Sequence, residues 1–181
     1  MPYTFYNSTV PVFQSALQSL AQILKKAHSH AAENNIPADD LLSWRLADDM
    51  LPLAFQIHEV GDTSMKLVSR VQGTDPLPWS WEDIKTWEDA RARISEAESL
   101  LAGVDEGLFE KRADETVPFV TGKGTRETVA RGWVAIYGLP TLFFHLTTAY
   151  GILRNKGVGL GKPDYHLAFT SPWVADRPTS G

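Results

Sequence analysis

The chain has 181 residues, 43% hydrophobic and 22% charged, with a formal net charge of −5 and no cysteine. Such a chain folds as one soluble globular domain that buries about two-thirds of its unfolded surface, which excludes a disordered polypeptide. The acidic balance, with Lys25-Lys26 and Lys111-Arg112 as the basic clusters, argues against nucleic acid, and the absence of cysteine excludes disulfides, thiol catalysis and thiolate metal sites.

The first residues, MPYTFYNSTV, lack the positive and apolar regions of a signal peptide. The most apolar window, Trp133 to Leu146, is interrupted by Gly138 and Pro140 and is shorter than the roughly 20 residues that span a bilayer. The expectation is a cytoplasmic protein with no membrane partner.

In chain order, residues 9–33 carry Phe13, Leu17, Leu20, Leu24, Ala27 and Ala31 at alternating steps of three and four, with Ser8 or Thr9 as cap and Pro11 in the first turn. This predicts an amphipathic helix. After the breakers Asn34, Asn35 and Pro37, a second helix is predicted over 50–72, capped by Asp48 or Asp49. Its apolar seam is Leu53, Ile57, Val60, Leu67 and Val71; His58 stands in a flanking stripe of small and apolar residues, and Gln56, Glu59, Lys66 and Arg70 fall on the wet side.

Ser80 and Asp83 resemble a capping box for a third helix over 81–102, with Trp87, Ala90, Ile94, Ala97 and Leu101 inward. Residues 104–124 are irregular, with one or two short strands around TVPFV and VTGKGT, although Pro118 demotes the run. Helical spacing returns from Thr125, pauses at Gly138-Leu139-Pro140 and continues to about Asn155, placing Leu142, His145, Leu146, Ala149, Ile152 and Leu153 on one face. The domain is drawn as residues 1–166, with a loosely ordered tail over 167–181.

Three patterns invite a chemical reading. GVGLGK (157–162) lacks the Walker spacing, has Pro163 where a magnesium-binding hydroxyl would stand and follows a helix, so Gly157 is better explained as a helix C-cap. His58 and His145, on facing helices, suggest a bundle metal site for zinc or nickel, but a third ligand is missing: Ala149 stands one turn after His145, and Asp49 lies about 180° around the helix from His58. Alternatively, His145, Thr147, Thr148 and Tyr150 with His58 form the polar points of an apolar small-molecule pocket, against the plain possibility that a buried helical threonine bonds its own helix and the histidines are structural. Trp79 and Trp81, flanking Ser80, suit an aromatic lip over one bundle end or an anchor for their loop.

RLADDMLPLAFQI (45–57) and LPTLFFHLTTAYGILRNKGVGLGKPDY (139–165) together resemble an uncharacterised domain family of fungi and bacteria, grouped with the DinB/YfiT-like four-helix bundles. The resemblance implies an all-α, up-down-type bundle with a short irregular or β excursion between helices 3 and 4. The broader superfamily is similar to metal-dependent transferases and hydrolases with a histidine on the second helix and a His-x-x-x-His pair on the fourth. On that pattern His58 matches the first histidine, His145 one of the pair, and Ala149 replaces its partner. Asp49, His145 and Tyr150 match recurring positions of the narrower family, from which His58 departs. Fungal members resemble passengers of specialised-metabolite gene clusters.

The leading expectation is therefore an enzyme without a cofactor that binds a small apolar molecule and promotes a cyclisation or isomerisation. His145 and His58 would be catalytic, and Asp49, Thr148, Tyr150, Trp79 and Trp81 would bind substrate. The alternatives are a DinB-like metalloenzyme using His58 and His145, and a non-catalytic binding module or homodimer.

Overall fold

The computed structural model describes residues 3–75, 77–121 and 124–170. Helix α1 (Val10–Glu33) buries all six residues of its predicted seam. Helix α2 (Leu53–Gln72) starts three residues later than the sequence suggests, because Pro52 is its N-cap and the Leu53 N–H donates to Trp44 O at 2.8 Å. Neither Asp48 nor Asp49 caps it; both are exposed in the preceding turn.

The third predicted helix is divided. Ser80 accepts from the Glu82 N–H and caps only a 3₁₀ turn, Trp81–Asp83, whereas α3 (Trp87–Ala102) starts anew at a reciprocal Thr86–Asp89 capping box. Two orphan N–H groups are satisfied at that box, and the Trp87 N–H is taken by Asp39 Oδ1 at 2.7 Å, so the later start wins.

After a short α4 (Glu106–Lys111), the excursion is a hairpin of β1 (Thr116–Thr121) and β2 (Gly124–Val129), in antiparallel register from Thr116 opposite Val129 to Thr121 opposite Gly124. With only two strands each has a free edge, which is where a strand tolerates Pro118. The hairpin runs straight into α5 (Ala130–Trp133), so helix begins five residues after the predicted Thr125. The expected pause is instead a π-helical stretch, Val134–Gly138, continuous with α6 (Leu139–Asn155). Pro140 is tolerated there because it lies in the first turn of α6.

Gly157, at φ +91°, closes α6 as predicted: its own N–H reaches Arg154 O and the Val158 N–H reaches Leu153 O, the paired bonds of a Schellman cap. A further helix, α7 (Lys162–Thr170), then packs on α1, tied by Ser19 Oγ to Tyr165 O at 2.8 Å and by Lys26 to Asp164 at 2.9 Å. Residues 167–170 of the expected tail are its last turn, and 171–181 lie outside the described residues.

Helices α1, α2, α3 and α6 form a four-helix bundle around one core. α2 lies against α3 and α6 along most of its length and is also touched by β1, by the 3₁₀ turns Ala38–Ser43 and Trp81–Asp83, and by α1. Fifteen of its side chains are buried, Gln56, His58 and Asp62 among them. No helix among the described residues is long and apolar enough to cross a membrane.

At Gly138 an added Cβ would lie 2.8 Å from Trp133 Cζ3 and 3.4 Å from Phe13 Cζ, both rings being fully buried. Gly138→Ala is expected to lower stability by about 1–3 kcal/mol through this overpacking, despite the better helix propensity of alanine. A urea midpoint at or above that of the wild type would contradict the packing.

Candidate metal centre on the second helix

Because α2 is covered on several sides, its polar residues meet each other rather than water. His58 is 94% buried, with 6% of its surface exposed, and its Nδ1 has no hydrogen-bond partner. A ring nitrogen of His58, a Glu59 carboxylate oxygen and an Asp62 carboxylate oxygen all lie within 4.8 Å of one another. Asp62 also forms an ion pair with Lys66, one turn on.

His145 enters from α6. Its Nδ1–H donates to Gln56 Oε1 at 2.8 Å, and the Gln56 amide is fixed in that sense because its Nε2 donates to Leu51 O at 3.0 Å. In the neutral ring the lone pair is therefore on Nε2, which faces Glu59 Oε2 at 3.8 Å. Both side chains are shielded, with 13% and 19% of their surfaces exposed. Burial, and after it the neighbouring His58, lowers the pKa of His145 to about 4. Burial followed by the Asp62 charge raises that of Glu59.

Desolvation is also the main cause that lowers His58, and Arg93 and Lys66 act in the same sense against Asp62 and Asp83. Two neutral imidazoles thus present nitrogen lone pairs beside two carboxyl groups. Mutual repulsion of such electron-pair donors is relieved by a proton or by a cation.

The donor set suits a divalent ion. Mixed imidazole and carboxylate ligation accommodates zinc, nickel, iron or manganese. The 3.8 Å between His145 Nε2 and Glu59 Oε2 is below the about 4.2 Å sum of two metal–ligand bonds, as it must be for ligands of one ion. The Nδ1–H anchor on Gln56 is the kind of second contact that fixes the tautomer of a ligating histidine.

Aromatic side chains close over the cluster. Phe55 meets His145 edge-on at 5.6 Å, Trp81 meets Phe55 at 6.1 Å, and Trp79 lies over the Arg93 guanidinium at 3.6 Å and against Gly61. Trp79 and Trp81 thus pack against Gly61, Arg93 and Phe55.

The other sequence candidates fall elsewhere. Asp49 is exposed in the turn before α2. Thr148 donates to Phe144 O at 2.7 Å, the local bond that a buried helical threonine commonly makes. Tyr150, about 140° around α6 from His145, packs edge-on against Tyr165 of α7. His166 and His28 are exposed at a distance in the fold.

A recess of about 750 Å³ between α1 and α3, lined by Leu24, His28, Trp87 and Arg91 among others, does not include His58 or His145. Nor does a second, of about 220 Å³, beside α2.

Gln56, Glu59 and Asp62 were not foreseen as site residues, and the first two were assigned to solvent. The usable signal was HEVGD, residues 58–62: His58 and Asp62 are four apart on one helical face with a glutamate next to the histidine, the spacing of the His-Glu-x-x-His zinc motif with aspartate in the last place.

The bundle has a counterpart of known structure. A DinB family member protein from Shewanella denitrificans matches with a TM-score of 0.79 and 30% identity, over 97% of this chain and 94% of that one. The molecule is thus a DinB-like helical bundle. Residues 5–166 match the domain of unknown function DUF1993, and the chain belongs to that family. No curated protein matches it.

The shifts give the cluster a pH signature. Between pH 6.5 and 4 the unfolded chain binds a proton at His145 that the folded chain refuses, so the stability tied to that residue is complete above pH 6.5 and is lost as the pH falls toward 4. His58 acts in the same direction. Glu59, raised in the fold, acts oppositely, its share being lost as the pH rises through its folded value. Urea unfolding of the metal-free protein is expected to show stability falling by up to about 3 kcal/mol over that window. His145→Gln should flatten the slope; an unchanged slope would separate it from His145.

Proposed function

We propose that the protein is a divalent-metal-dependent enzyme of hydrolase or transferase type, acting on a small molecule at the α2–α6 interface. The carrying observation is the orphaned, buried Nδ1 of His58 in a cluster where Glu59 and Asp62 lie within 4.8 Å. His58, Glu59 and Asp62 hold the ion, and His145 supplies a fourth donor beside Glu59. When bound, such an ion polarises a substrate oxygen or lowers the pKa of water.

The protein residues have separable duties. Gln56 keeps the lone pair of His145 directed at Glu59. Phe55, Trp79 and Trp81 limit the access of water and offer apolar surface to a substrate. Arg93, spread over Trp79, holds that ring and adds its charge to the burial that lowers the pKa of His58.

One observation favours a second reading. Lys66 already neutralises Asp62, so the site can balance its charge with a side chain and leave His58 and His145 to polarise an apolar substrate for cyclisation or isomerisation, in specialised metabolism or elsewhere, without a metal.

Metal content separates the two. After equilibration with zinc or nickel and desalting, the wild type is expected to retain about one equivalent by elemental analysis. His58→Ala and Asp62→Asn should each bind at least tenfold more weakly, and Gln56→Leu roughly 10–100-fold more weakly. Equal and negligible metal in the wild type and His58→Ala would leave the metal-free reading.

A further inference from the structure

A second feature lies farther along α2. The recess of about 220 Å³ is lined by Lys66, Arg70, Trp133 and Tyr137, so it joins α2 to the π-helical stretch that leads into α6. Arg70 is fixed in its wall. Its guanidinium carbon lies 4.8 Å over the Trp133 ring, its Nε donates to Pro118 O at 3.1 Å and its Nη1 to Lys66 O at 3.5 Å. Among the described residues no carboxylate forms an ion pair with it.

A half-buried guanidinium with no counter-ion is costly, and burial accordingly lowers its pKa. Trp133 adds a buried indole N–H that also has no acceptor. The opposite edge of that indole faces Gly138. Tyr137 completes the wall, packed edge-on against Phe119 and tilted against Trp133.

We propose that this recess anchors the carboxylate of a small molecule with a flat, apolar body, and that Lys66 links its occupancy to the cluster of His58, Glu59 and Asp62. The assignment deepens, and rests on, the reading of that cluster as a metal centre. The donors define the class. Two of the five Arg70 N–H groups are committed to backbone carbonyls, and the remaining edge of the planar guanidinium matches the two oxygens of a carboxylate. Tyr137, only partly buried, offers its ring to an aromatic or conjugated body.

Lys66 couples the two sites. Asp62, Lys66 and Arg70 follow one another at four-residue steps, about 6 Å each along α2. Without a metal Lys66 is held by Asp62. A cation on Asp62 repels that ammonium and releases it toward the recess, where it joins Arg70. Cation and carboxylate therefore strengthen each other's binding, and reciprocally so.

The test uses benzoate as probe and inorganic phosphate as comparison, titrated by NMR into the folded full chain with and without zinc. Benzoate is expected to bind more tightly than phosphate, to gain at least threefold in affinity with zinc, and to lose at least tenfold in Arg70→Met, which keeps the apolar stem. Lys66→Met, which leaves the hairpin brace intact, should abolish the zinc effect. Asp62→Asn should tighten benzoate binding without zinc, since it frees Lys66.

Benzoate binding that is equal in the wild type, Arg70→Met and Lys66→Met, or absent from both the zinc-loaded wild type and Asp62→Asn, would overturn the subsite. Tighter binding of phosphate would overturn the carboxylate assignment. If zinc does not bind but Asp62→Asn still tightens benzoate binding, the metal centre fails and the recess stands. Stoichiometric zinc with no Arg70-dependent benzoate binding is the reverse.

Discussion

The enclosure of α2 is the constraint on which the rest depends. A helix packed against α3 and α6, with one strand and two 3₁₀ turns across its remaining surface, has little water to hydrate its polar residues. Each polar group on it must find a protein partner or go without. Ser64 solves this locally by donating to Val60 O, and Gln56 by bridging Leu51 and His145. His58 has no such local solution, its Nδ1 being left without a partner beside Glu59 and Asp62, and the character of the candidate site follows from that shortfall.

The same enclosure explains what the sequence could and could not disclose. Helical spacing marked α1, α2, α3 and α6 because each buries a stripe of aliphatics, and Gly157 announced its cap because few other residues adopt a positive φ. The break between Trp81 and Trp87 was hidden, since Ser80 and Thr86 both offer caps and only the bond from Trp87 to Asp39, far away in sequence, favours the second. Within the site, His58 and His145 were legible as inward residues. Glu59 was assigned to solvent because polarity is a guide to exposure only when a helix has an exposed side. Thr148 and Tyr150 shared a motif with His145 yet point to other partners, because neighbours in sequence are spread around a helix.

Lys66 gives the centre an internal counter-ion. Its ammonium makes a buried aspartate tolerable without a metal, so the fold need not wait for an ion in order to form. A structural zinc site, in which binding and folding are one event, would be built otherwise.

The π-helical stretch at Val134–Gly138 has an evolutionary implication. Such a stretch accommodates one more residue than an α-helix of the same length, whereas in regular α-helix each added residue would turn all that follows by about 100°. The wider winding takes up that residue, so α6 keeps the face that carries His145 toward Glu59. Within this fold, a one-residue insertion or deletion in this short segment can be absorbed as a change between π- and α-helical winding, without turning the residues of the candidate site away from α2.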